Sequence, residues 1–209
     1  MPDKYGVGED PYCYPGTDVL KNSLNLTDAS ELNEVEAEIT AVRAQTLEPQ
    51  FERFDAARFR QIHRHLFQDI YDWAGEYRTV DISKGQTRFC TAARIEKELE
   101  RLCRQLEQAE WLCGLSLDDL IPAVADFYCE INIVHPFREG NGRAQRLLFE
   151  ELIVNAGFDI DWGRIDADEW VSANQSGYLG DLDPLIEIFS RALYDPNQDW
   201  KFARVKGCR

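Results

Sequence analysis

No apolar run in this sequence is long enough to cross a bilayer, and the opening residues, Met-Pro-Asp-Lys, lack the hydrophobic stretch of a secretion signal. A cytoplasmic protein is therefore expected. Basic residues are scarce: 23 Lys and Arg stand against 38 Asp and Glu, for a formal net charge of −15. Broad binding to nucleic acid or to an anionic membrane needs a basic face, so neither is expected. The six cysteines (Cys13, Cys90, Cys103, Cys113, Cys129, Cys208) form no Cys-x-x-Cys pair and no zinc-like spacing with the three histidines. Reduced thiols are the default, several of them buried. Internal repeats and low-complexity tracts are also missing.

What is present is a 209-residue chain, 44% hydrophobic, with 11 Phe, 8 Tyr and 5 Trp. That is enough to bury one good core. The expected layout is an irregular, glycine- and proline-rich arm over 1–22, one domain over 23–194 and a polar tail over 195–209.

Apolar spacing predicts a mainly α chain. A first helix runs from a cap at Thr27 or Ser30 to about Leu47, with Leu32, Val35, Ile39 and Val42 inward. Others are expected over about Ala56–Trp73, Thr91–Glu110, Ser116–Val134, a stretch ending at Gly157, Ala167–Ser176 (stopped by Gly177) and Asp183–Tyr194. His63 and His65 lie two apart on the second helix, so they share no face for a metal and read as structural. Between Gly75 and Thr91, Val80 and Ile82 alternate with polar residues, Lys84-Gly85 supplies a turn, and Thr87, Phe89 and Cys90 return. This predicts a short β-hairpin whose open edge is either covered or able to take an extended segment as an added strand.

One stretch concentrates chemistry: His135-Pro-Phe-Arg-Glu-Gly-Asn-Gly-Arg-Ala-Gln-Arg146. Pro136 disfavours the α region at His135, so the preceding helix ends there. Gly140, Asn141 and Gly142 sit on the turn opening the next helix, where unpartnered N–H groups make an anion site. Arg143 and Arg146 oppose the helix dipole there by roughly 0.3–1 kcal/mol each, a balance that a bound polyphosphate would reverse. Glu139 is an oxygen ligand suited to Mg²⁺ bridging phosphates. His135 can accept a proton near neutral pH. Taken singly each feature has a plainer reading, Arg146 pairing with Glu150 for example; together they point to a nucleotide triphosphate.

The stretch resembles the Fic family signature, His-x-Phe-x-(Asp/Glu)-Gly-Asn-Gly-Arg-x-x-Arg, at every fixed position. Asp10 to Asn22 resembles, less closely, the lead-in of stand-alone bacterial Fic toxins. The resemblance implies a Fic-type helical bundle with a hairpin flap, and transfer of AMP from ATP, with Mg²⁺, to a Ser, Thr or Tyr hydroxyl of a target protein. In that reading His135 is the base, Glu139 the metal ligand, and Gly140, Asn141, Gly142, Arg143 and Arg146 hold the phosphates. Asn174 helps wall the adenine, and the flap (Thr79, Val80, Asp81, Ile82, Thr87, Phe89) docks the target. Relatives can transfer UMP or GMP, and a non-catalytic binding module is the remaining alternative. The family's inhibitory pattern, Ser/Thr-x-x-x-Glu-Gly/Asn, is incomplete here because Val35 follows Ser30–Glu34. The resemblance therefore implies a separate small antitoxin, and makes the ATPase subunits of DNA gyrase and topoisomerase IV possible targets.

Overall fold

Side chains at the N-caps set where the helices begin. The computed structural model describes residues 10–51, 53–85 and 87–197, so the first nine residues of the arm and the tail beyond Asn197 lie outside the described residues. Asp28 accepts the Glu31 N–H at 2.9 Å and opens α1 (Ala29–Gln45). Asp55 accepts the Arg58 N–H at 2.8 Å and opens α2 (Ala56–Phe67). Ser116 does the same for α4 (Leu117–Val134), and Asp166 for α6 (Ala167–Tyr178). Each such cap stabilises its helix by about 1 kcal/mol. The remaining helices are α3 (Ile95–Gln108), α5 (Asn141–Asn155) and α7 (Asp183–Ala192).

Two antiparallel pairs complete the described fold. β1 (Ser83–Lys84) pairs with β2 (Thr87–Arg88) in the expected hairpin, in register Ser83 with Arg88 and Lys84 with Thr87. β3 (Asp159–Ile160) pairs with β4 (Leu193–Tyr194), a short tie that alternation over so few residues could not announce.

The core lies along α4 and α5. α4 packs on α3, α5 and α7, while α2 packs on α5 and α1. Leu120, Val124 and Tyr128 of α4 are buried with Phe59 and Ile62 of α2, Phe149 and Leu152 of α5, and Ile188 and Phe189 of α7. At roughly 1.5–3 kcal/mol for each large apolar side chain, this makes the two helices that flank the motif the most firmly held part of the chain. A buried ion pair adds a fixed link between α2 and α5: Arg58 grips Glu151 through Nε (2.9 Å) and Nη2.

Three sequence expectations are corrected. The inward stripe of α1 is Leu32, Glu36 and Thr40, while Val42 is 63% exposed. Counting apolar residues misplaces that face because Glu36 has buried partners in distant elements. The second helix ends at Phe67 rather than Trp73, and turns lead on to Gly75. Gly177 does not stop α6, which continues through it to Tyr178. A Cβ there would lie 2.8 Å from Cys129 Sγ and 3.1 Å from Leu185, so this glycine lets α6 approach α4 and α7 closely.

Candidate active site

The loop from α4 to α5 joins two core helices in six residues, which holds both of its ends. His135 ends α4 in the left-handed region (φ 47°, ψ 63°), an uncommon conformation for a residue with a Cβ. Its N–H still reaches Ile131 O at 3.2 Å, and its carbonyl accepts from Arg78 Nε at 2.9 Å. The imidazole Nδ1 meets Asn132 O at 3.2 Å, which requires the proton on Nδ1 and makes Nε2 the basic nitrogen. Phe89, on the return arm of the hairpin, stacks on the ring with centroids 3.8 Å apart and 15° between planes. His135 and the hairpin are thus in direct contact. Burial pushes the imidazole pKa down to about 3, with Asn132 and Glu139 opposing.

Phe137 anchors the loop in the core. Asn141 Oδ1 accepts its N–H and Asn141 Nδ2 donates to its carbonyl, both at 2.8 Å. The Asn141 side chain faces inward, 2% exposed, and fastens the loop. The N–H groups of Asn141, Gly142 and Arg143 have no acceptor among the described residues. Gly140 (φ 78°) must be glycine twice over, because a Cβ would also enter the ring of Phe67. Gly142 has open space where a Cβ would be, leaving room for a ligand's approach.

His63 was read as structural and proves to support the site. It is fully buried, accepts the Gly75 N–H on Nδ1 (2.9 Å), donates from Nε2 to Glu139 O (2.9 Å), and stacks on Phe137 at 3.8 Å. Burial lowers its pKa to about 4, despite the opposing bond to Glu139. Glu139 itself accepts the Gly140 N–H at 3.0 Å, with Arg143 at 3.9 Å.

The two arginines are not equivalent. Arg143 is committed to the buried carboxylate of Glu36, bonds Thr40 Oγ1 at 3.2 Å and lies 4.7 Å from the centre of the Phe67 ring. Tyr71 donates to the other Glu36 oxygen; burial first, and then that carboxylate, raise its pKa far above the phenol range. In this structure the charge of Arg143 is matched by Glu36. Arg146 is exposed and borders the same hollow between α1 and α5. Asn174 is held at both ends of its amide. Its Oδ1 accepts from Asn132 and its Nδ2 donates to Trp170 O, at 2.9 and 2.8 Å, so both polar ends are used within the protein. It steadies the asparagine whose carbonyl holds His135.

In the flap, Val80, Ile82 and Phe89 form a small apolar cluster of their own. Asp81 accepts the Ala92 N–H at 2.7 Å, Thr87 pairs with Lys84, and the Thr79 N–H reaches Tyr12 OH at 3.1 Å. The arm reaches the motif too. Asp10 and Arg138, each 3% exposed at the side chain, pair at 2.5–2.7 Å. Sequence reasoning passed over Arg138 because it fills a variable position of the signature.

Two outcomes follow for the isolated protein. Gly140→Ala combines a left-handed backbone with a clash against Phe67, and should cost about 3 kcal/mol; a thermal melt should fall by roughly 6–12 °C. His63 stays neutral in the fold while an unfolded histidine takes a proton near pH 6.5. Stability is therefore full above pH 6.5 and declines below it, by up to about 1.4 kcal/mol per pH unit from this group. His135, held neutral in the same way, adds a slope of the same sign, so melting curves between pH 7 and 5 should show both and His63→Gln should remove only the His63 part.

Comparison with known proteins agrees with this geometry. Residues 53–153 match the family model described as "Fic/DOC family". "Probable protein adenylyltransferase Fic" of Escherichia coli (strain K12) is 45% identical over 95% of this chain and 99% of its own length. The chain belongs to the Fic/DOC family. The VbhT adenylyltransferase of Bartonella schoenbuchensis is 34% identical over 91% of the chain, which spans 40% of that longer protein. Among solved structures, the Fic domain of a Bartonella quintana VirB-translocated Bep effector with bound ADP superposes with a TM-score of 0.82 at 29% identity, covering 88% of this chain and 94% of that one. BepC of Bartonella tribocorum with bound AMPPNP gives 0.81 at 28% identity, covering 88% and 96%. Relatives sharing the full length are named protein adenylyltransferases, and the chain is an enzyme of that class. No described helix is long and apolar enough to cross a membrane.

Proposed function

We propose that this Fic protein transfers AMP from ATP to a Ser, Thr or Tyr hydroxyl of a target protein. The observation that carries the reading is a single loop holding a neutral imidazole, with Nε2 as its base, next to a helix start whose amides lack acceptors. The α- and β-phosphates would lie on the amides of Asn141 to Arg143, and Arg146 would meet the outermost phosphate. The target hydroxyl oxygen attacks the α-phosphorus, its proton passes to His135 Nε2, and the bond to pyrophosphate breaks. A base with so low a pKa is too weak to ionise an alcohol beforehand, so proton transfer accompanies P–O bond formation. The amides supply most of the charge neutralisation.

Glu139 fits Mg²⁺ only in part. No group of three or more metal-binding side chains occurs among the described residues. One carboxylate holds Mg²⁺ well only when phosphate oxygens and water complete the shell, so the metal is expected to arrive with the nucleotide. Bound there, it would neutralise phosphate charge.

Regulation by a separate antitoxin is supported by the surface beside Arg146. A hollow of about 320 Å³ between α1 and α5 is lined by Ala37, Ala41, Leu66, Leu147 and both arginines. It runs on, past Ala44 and Leu147, into a second hollow of about 310 Å³ that reaches Phe51 and Val154. A helix with one apolar face and a glutamate at the Arg146 end would fill this surface and displace the outer phosphate. Gyrase and topoisomerase IV ATPase subunits are the proposed targets. The test is a host lysate given ATP labelled at either the α- or the γ-phosphate. Label from the α-position alone supports the reading, and label from the γ-position alone would replace it with kinase chemistry. Expression of the chain by itself should arrest growth.

A further inference from the structure

Arg78 lies two positions before Val80, with its side chain buried among main-chain carbonyls (2% exposed). Its Nε donates to His135 O at 2.9 Å, its Nη1 to Val80 O at 2.6 Å, and its Nη2 to Val134 O at 3.2 Å and to Cys90 O. Its backbone N–H adds a bond to Pro136 O at 2.9 Å. These acceptors fall in two groups. Val134, His135 and Pro136 end α4, where a helix leaves carbonyls without intrahelical donors. Val80 and Cys90 are the two feet of the flap. One planar, five-donor guanidinium therefore bonds the helix end and both arms of the hairpin at once, a pattern that the compact ammonium of lysine cannot reproduce.

Two further contacts run along the same seam. The Cys90 N–H donates to Ile133 O at 3.0 Å, and Phe89 stacks on the imidazole. His135 is held in the left-handed region, a conformation that persists only where the surroundings over-determine it. The grip on its carbonyl is what over-determines it. The amides assigned to the phosphates, by contrast, are fixed by the bonds of Asn141 to Phe137 and of His63 to Glu139.

We propose that Arg78 is a positioning residue that fuses the flap and the catalytic base into one rigid piece, so that seating a target strand on the hairpin sets the hydroxyl at the correct distance from His135. The inference rests on the reading of His135 as base and the hairpin as dock. It also divides the site: target alignment runs through Arg78, and nucleotide binding does not.

The experiment compares wild type with Arg78→Lys and Arg78→Gln, using α-labelled ATP and a target identified by labelling. An active wild type secures the underlying reading first, and an inactive one overturns that reading rather than this one. In both variants kcat for transfer should drop by about 100-fold, the loss typical of a misplacement near 1 Å. KM for the target should rise, while the ATP dissociation constant measured by calorimetry stays at the wild-type value. Retained kcat, or equal losses of kcat and ATP affinity, overturns the proposal. Should the variants be too unstable to isolate, ¹⁵N NMR of the wild-type protein decides. A slowly exchanging Arg78 Nε–H whose resonance moves when the target binds supports the proposal, and fast exchange overturns it.

Discussion

His135→Ala is expected to slow AMP transfer by roughly 10²–10⁴-fold, the usual contribution of a positioned general base. ATP affinity should be nearly unchanged, because the imidazole is bonded to Asn132 and stacked on Phe89, while the phosphates are assigned to amides beyond Gly140. Single-turnover labelling would measure the rate, and calorimetry the affinity. A variant that labels the target as fast as wild type would remove His135 from the chemistry. The pH dependence sharpens the point. With its pKa near 3, His135 remains unprotonated at every pH where the fold is firm. The wild-type rate should therefore show no histidine limb between pH 7 and 5.5, provided it is corrected for the folded fraction.

The largest loss of stability is expected at Glu151, far from the reaction. Glu151→Ala leaves the guanidinium of Arg58 buried at 3% exposure with its carboxylate gone. Gln61 Oε1 at 3.0 Å and Glu48 O at 2.9 Å remain as neutral partners. Breaking such a pair from one side costs about 3–5 kcal/mol. Denaturant melts should give an unfolding free energy lower by that amount, with a correspondingly lower midpoint. Replacing both residues with apolar ones of similar volume should recover much of it, because neither desolvated charge then remains. A Glu151→Ala unfolding free energy within about 1 kcal/mol of wild type, on the order of a surface change, would show that water reaches Arg58.

The motif and the helices around it were legible because local rules govern them. Ser116 caps, Pro136 interrupts, Gly140 turns, and apolar residues at helical spacing mark α3 and α4 closely and the start of α2. What stayed hidden was polar and long-range. Glu36 looks like one more surface acid until Arg143, 107 residues later, is brought against it. Arg78 reads as a solvated cation, since its acceptors are carbonyls, which carry no side-chain signal. Gly177 reads as a helix stop from its residue type, whereas α6 runs through it, and the reasons for Gly177 and Asn174 both include a neighbour on α4. Spacing finds elements, but it does not find what a buried charge is matched to.

The clasp between Asp10 and Arg138 spans 128 positions of sequence. During synthesis Asp10 leaves the ribosome early and waits while most of the polypeptide is made. Closing so long a loop costs conformational entropy before the pair adds any stability, so the arm is expected to dock late in folding, after the core helices have formed.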